Sequence, residues 1–252
     1  ETYTNSEKSL QEILNVQKDF GWIAKLKEPF YLSFFEVKRI VYTPFFGIIA
    51  FIFGVLLIVI SNYMKSMYDA ESIPVTFLMA ELAEEGLSFF LLLLIVFFSG
   101  NIVWRERENK IDELIGVSTV SNFNLMFSKF LGMVWMVIIM QIFSNLICIG
   151  IQFYKGFYDI EPLIYLKFNL YHLPYYLVLI GFSLFVQLIV NNKYFGFFLA
   201  IFPVVFLPIL YNYLEMNGIL YSFNSNGPTL PYSALNGFGQ VLYSYFIVKS
   251  YW

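Results

Sequence analysis

The sequence has little charge, one cysteine and one histidine, and each scarcity excludes a class of protein. Charged residues make up 13% of the 252 positions, against about 25% in ordinary soluble domains. Hydrophobic residues reach 59%, aromatic residues 21% and mean hydropathy +0.68. Such a chain cannot cover a water-facing surface, which excludes a soluble enzyme. The net charge of −3 provides no basic excess to neutralise phosphates, so no nucleic acid is expected as a partner. Cys148 alone supports neither a disulfide framework nor a cysteine-based zinc site. A metalloprotease cluster such as HExxH is missing, because His172 is the only histidine. No Gly-Lys pair exists from which to build a phosphate-cradling loop, and no GxSxG elbow is present. The chain is read as no enzyme by itself, with no cofactor and no metal of its own.

The abundant material is apolar. A helix needs about 20 apolar residues to cross the roughly 30 Å hydrocarbon core. Windows almost free of charge predict five spans, at about 44–63, 86–104, 130–153, 172–191 and 194–213. Strong polar–apolar alternation is absent, which argues for helices rather than a barrel. The stretch 215–240 is uncharged too, but its Asn, Pro and Gly residues mark turns, so it is read as an extracytoplasmic loop. Before the first span, 29–41 (PFYLSFFEVKRIV) clusters aromatic residues with Glu36, Lys38 and Arg39, predicting an amphipathic helix flat at the interface, the alternative being the ragged start of the first span. Residues 1–28 read as a cytoplasmic linker with one short helix. The chain opens at Glu1 on a polar stretch, without the basic-then-apolar pattern of a secretory signal. Because Val241–Trp252 could open a sixth helix, both ends are expected to continue in a longer polypeptide.

Lysine and arginine set the orientation. With the N-terminus cytoplasmic, eleven basic residues fall inside and four (Lys65, Lys155, Lys167 and Lys249) fall outside. This predicts a multi-pass membrane protein with a cytoplasmic N-terminus and one conspicuous cytoplasmic loop at 105–122. Arg105, Glu106, Arg107, Glu108, Lys110, Asp112 and Glu113 continue the second span into a charged helix, with Glu106 and Lys110 in the favourable i,i+4 order. Such a helix is suited to a groove in a soluble partner. The alternative is a solvated loop whose charges stop the span from sliding.

Within the spans, Glu81, Glu84 and Glu85 share one face at the outer end of the second helix. Acids in a membrane segment are functional suspects, so these three and the deeper Gln187 are candidate pathway or gate residues. A solvated or inter-helix role fits the acids as well, since water reaches that edge. His172, in YHLPYY, reads as a structural interfacial histidine, and Ser183 as a packing or back-bonding serine. Pro203 and Pro208 predict kinks in the fifth span, either fixed or moving.

These residues resemble a family. Phe98–Ser99–Gly100–Asn101–Ile102–Val103–Trp104–Arg105–Glu106–Arg107, then Val120–Ser121–Asn122–Phe123 and Ser128–Lys129, is similar to the permeases of ABC-2-type transporters. The likeness extends through 151–158 (IQFYKGFY), 190–196 (VNNKYFG), Pro231–Tyr232–Ser233 and Asn236–Gly237–Phe238–Gly239 to Tyr251–Trp252. It is nearest to the permease halves of bacterial chains that fuse ABC permease to an extracytoplasmic zinc aminopeptidase. Ser121 stands where that family usually has proline.

The resemblance implies an all-α, ABC-2-type (type V exporter-like) permease half over 29–252, with a sixth span missing or truncated. It implies ABC ATPase subunits carrying ATP and Mg as partners, docked on the 105–122 coupling loop. A second permease half, a lipid bilayer, and an extracytoplasmic peptidase domain or other subunits complete the expected surroundings. The implied function is movement of an unidentified substrate using ATP hydrolysed elsewhere. The alternative is a non-transporting scaffold or force-relaying anchor of a larger complex.

Overall fold

A computed structural model of the chain describes residues 22–63, 74–108 and 121–213. Six helices and no strands occur among them: α1 (Trp22–Val41), α2 (Pro44–Tyr63), α3 (Thr76–Glu108), α4 (Asn122–Tyr154), α5 (Pro162–Ile189) and α6 (Lys193–Tyr213). Four of these, α2 to α5, are long and apolar enough to cross a membrane. The fifth predicted span coincides with α6, whose apolar section over Lys193–Phe206 is shorter. Its helix carries both Pro203 and Pro208. The loop 215–240, most of the loop 105–122, and the short helix expected within 1–20 lie outside the described residues.

Helix ends follow their local chemistry. Gly156 closes α4 in the left-handed region (φ 76°). This lets its own N–H reach Phe153 O and the Phe157 N–H reach Gln152 O, the paired bonds of a Schellman stop. Pro162 opens α5 at a position where no backbone donor is missed. Asn192 caps α6, its Oδ1 accepting from the Tyr194 N–H at 3.0 Å.

Four helices begin earlier than the hydrophobicity windows imply, α4 at Asn122 rather than 130 and α5 at Pro162 rather than 172 among them. The second predicted span starts at Thr76 rather than 86, because the residues before it, Glu84 included, pack against neighbours. The helix expected at 29–41 is the C-terminal part of α1, which starts at Trp22 and holds Pro29 inside it.

The core lies where α3, α4 and α5 meet. Leu87, Leu91, Leu94 and Ile95 of α3 are buried there with Met133, Met136 and Met140 of α4 and Ile180 of α5. Aromatic pairs fasten α2 to α3: the rings of Phe45 and Phe97 lie 3.9 Å apart, and those of Phe53 and Phe90 5.4 Å. The outer faces are as apolar as the core, with Phe51, Ile58, Leu166, Phe185, Phe195 and Phe198 all exposed. Water would penalise such a surface at about 25 cal/mol per Å², whereas lipid accepts it.

Helix α1 accompanies α4 in parallel. Asn124 donates to Glu28 Oε2 at 3.0 Å, and eight residues further along each helix Glu36 faces Gly132. A Cβ on Gly132 would sit 2.8 Å from the Glu36 Cβ and 3.5 Å from Ser33 O, so glycine is what allows the two backbones to approach. Pro29, Ser33, Val37 and Ile40 form the buried stripe, while Phe30, Tyr31, Phe34, Phe35 and Tyr42 point away from the bundle. The 33 residues of α4 span about 50 Å, longer than the roughly 30 Å hydrocarbon core.

Candidate functional site

Polar side chains are buried in a seam along the α3–α5 contact. These helices run parallel, pairing Glu84 with Tyr176, Ser99 with Ser183, and Trp104 with Gln187. On α5 the residues are His172, Tyr176, Ile180, Ser183 and Gln187, spaced four, four, three and four apart. That spacing keeps one face toward α3. Where a polar group falls on the stripe, it meets a polar partner, because lipid offers none.

The acidic end of the seam is its most concentrated chemistry. Glu84 is 6% exposed; its Oε1 accepts a hydrogen bond from the Tyr176 hydroxyl at 2.6 Å and lies 3.7 Å from His172 Nδ1. The His172 ring stacks on Phe168 and meets Tyr171 edge-on. The three acids, read in the sequence as one face, are divided by packing: Glu84 is buried, Glu81 half-buried and Glu85 exposed. Further toward the start of α3, buried Gln152 donates to Pro74 O (2.9 Å) and Thr76 Oγ1 (3.2 Å) and accepts from the Tyr165 hydroxyl (3.0 Å). The Lys155 ammonium donates to Ser61 O, tying the end of α4 to that of α2.

Midway along the seam, the Ser99 and Ser183 hydroxyls lie 2.6 Å apart, and Ser99 also donates to Val96 O at 2.8 Å. Trp104 Nε1 then donates to Gln187 Oε1 at 3.0 Å. The Gln187 amide lies between two glycines. A Cβ on Gly196 would overlap it, and one on Gly100 would overlap the Phe197 ring and come within 3.1 Å of Gln187 Nε2. That Nε2 is buried without a hydrogen-bond partner.

At the far end of α3, Arg105 donates to both Glu36 oxygens (3.0 and 3.3 Å), and Glu108 pairs with Lys193 at 3.1 Å. Two residues of the expected coupling stretch therefore hold α3 to α1 and α6 within the chain. The side chains of Glu106 and Arg107, together with Lys110, Asp112 and Glu113, lie outside the described residues. Among the described residues no group of three or more His, Cys, Asp or Glu side chains is placed to hold a metal.

An apolar groove of about 250 Å³ lies between α4 and α5, lined by Phe123, Met126, Phe127, Phe130, Leu184 and Phe185. The sequence reading missed four partners in the seam: His172 and Tyr176 for Glu84, Ser99 for Ser183, and Trp104 for Gln187. The available signal was the spacing of polar residues on α5, which puts them on one helical face. Compared with family models, characterised proteins and solved structures, the chain finds no match.

Proposed function

We propose that this chain is the membrane-spanning permease half of an ABC-2-type transporter, moving its substrate with ATP hydrolysed on separate subunits. The observation that carries the reading is the ordered run from Phe98 to Lys129, which ends one long apolar helix, α3, and opens the next, α4. Two further features support it. The chain has no Gly-Lys pair for a phosphate loop, which fits ATP hydrolysis on a separate subunit. Helix α1, lying beside α4 and bonded through Glu36 to Arg105, links the segment before the first span to the root of the charged loop.

In this reading the N-terminus and the 105–122 loop are cytoplasmic, in a bacterial inner membrane, and the loop docks on an ATPase carrying ATP and Mg. A second permease half completes the translocation unit. Closure of the ATPases on nucleotide pushes on the loop, and α3 transmits the movement along its seam with α5.

The test is purification of the full-length polypeptide from its native membrane, followed by identification of its partners and reconstitution into vesicles. An ATPase subunit that co-purifies, and whose turnover falls when Glu106→Ala and Glu108→Ala are combined, is the expected result. Both substitutions lie beyond the apolar section of α3, so insertion should be unchanged. A double variant that inserts normally, keeps its ATPase and keeps full coupled turnover would overturn docking at this loop. Vesicles with coupled ATP turnover but no movement of any solute or lipid would favour the scaffold instead.

A further inference from the structure

A carboxyl group buried inside a membrane-crossing helix has three states open to it: paired, neutralised or bound to a ligand. Glu84 touches a hydroxyl at 2.6 Å and faces an imidazole nitrogen at 3.7 Å. Its side chain is 8% exposed and that of His172 20%. A separation of 3.7 Å exceeds a hydrogen bond by about 0.8 Å, a gap that a small side-chain rotation closes. With a hydroxyl as the third group, the cluster falls short of the three or more His, Cys, Asp or Glu side chains that would hold a metal, and no such group occurs among the described residues. The ligand that fits is a proton.

We propose that Glu84, His172 and Tyr176 form a proton-binding site inside the helical bundle. The inference rests on the geometry of α3 and α5 and is independent of the transport reading. One proton from water adds to the carboxylate of Glu84, and both Glu84 and His172 are then uncharged. Tyr176 keeps its own proton and donates to Oε1 throughout. His172 Nδ1 is the group to which the carboxyl proton passes on release, forming a transient imidazolium beside a carboxylate before the proton returns to water. The other titratable side chains near the cluster are Glu81 and Glu85 on α3, Tyr171 and Tyr175 on α5, and Cys148 on α4. From Pro44 to Asn62, α2 carries no titratable side chain. Lys155 and Lys167 stand toward the loop between α4 and α5, where Lys155 is bonded to Ser61.

The experiment is pH-jump infrared difference spectroscopy on the full-length polypeptide in lipid nanodiscs. Stepwise acidification should raise a protonated-carboxyl C=O band as Glu84 takes up its proton. The band should be lost in Glu84→Gln and retained in Glu81→Gln and Glu85→Gln. In Tyr176→Phe, which keeps nearly the same volume, the band should move in frequency because its carboxyl has lost a hydrogen bond. In His172→Gln its midpoint should shift by roughly one pH unit, the size of one strong local interaction. A band absent from the wild type, or unchanged in Glu84→Gln, overturns the proposal. Should Glu84→Gln fail to fold, an unmoved frequency in Tyr176→Phe overturns it equally.

Discussion

The amide of Gln187 occupies the space that a side chain at Gly196 would otherwise fill and borders Gly100, whose own space is taken by the Phe197 ring, and this brings α3, α5 and α6 together around one polar group. Gly196→Ala would drive a methyl group into that amide, and Gly100→Ala would drive one into the Phe197 ring. Overpacking of this kind typically costs about 1–3 kcal/mol. Gly47 provides the control, because nothing lies within 4 Å of a Cβ placed there. Denaturant titration in mixed micelles should show Gly196→Ala and Gly100→Ala destabilised and Gly47→Ala unchanged or slightly stabilised. Equal behaviour of the three variants would show that α6 does not seat on Gln187.

The contact between α1 and α4 should depend on Gly132. Its missing Cβ leaves room for Glu36 and the backbone at Ser33 and Val37. Gly132→Val should lift α1 away from α4, where Gly132→Ala should only loosen it. Cysteines at Glu28 and Asn124, positions that share a hydrogen bond, should crosslink efficiently in an otherwise cysteine-free background. The yield should fall several-fold with Gly132→Val; an undiminished yield would mean that α1 is held by something other than this close approach.

Two ion pairs at the same end of the bundle should differ in strength. Arg105 and Glu36 are 28% and 16% exposed in their side chains, whereas Glu108 of the Lys193 pair is 56% exposed. Exposed pairs are screened and contribute about 0–1 kcal/mol. A double-mutant cycle on Glu36→Gln and Arg105→Gln should therefore give a larger coupling energy than one on Glu108→Gln and Lys193→Gln. Salt should weaken the second more than the first.

Gln152 joins three elements by bonding Pro74, Thr76 and Tyr165 while fully buried. Gln152→Leu keeps comparable volume but leaves the Tyr165 hydroxyl and Pro74 O without this partner. The loss should be about 1–3 kcal/mol in stability. Tyr165→Phe combined with Gln152→Leu should recover part of it, because the unpaired hydroxyl is then gone. A double variant no better than Gln152→Leu alone would contradict this.

The one thiol of the chain offers a direct check of packing. Cys148 is fully buried, and its Sγ lies 3.5 Å from Met79 O across the α3–α4 contact. Maleimide should fail to label the folded protein in nanodiscs and should label it stoichiometrically after denaturation. Rapid labelling of the native protein would mean that α3 and α4 separate at this level.

The class of protein was legible in the sequence because it depends on composition and length alone. Long runs without charge have one stable form in lipid, so α2 and most of α3, α4 and α5 could be placed from hydropathy. The helix starts at Thr76 and Trp22 could not, because charged residues such as Glu84 and Lys27 count against a span in any window average. Only packing shows that Glu84 has a hydroxyl to bond and that Lys27 lies on an exposed face. Individual suspects were visible too: Glu84 and Gln187 stood out as polar residues in apolar surroundings. Their partners did not, since Tyr176 lies 92 residues from Glu84 and Trp104 lies 83 from Gln187. Local periodicity constrains which face a residue occupies and leaves open which helix that face meets. The sequence by itself therefore determined the helices and the solvent they suit, both consequences of local composition. The tertiary structure alone decided the parallel seam of α3 and α5, because buried polar groups find their partners only once the helices have chosen their neighbours.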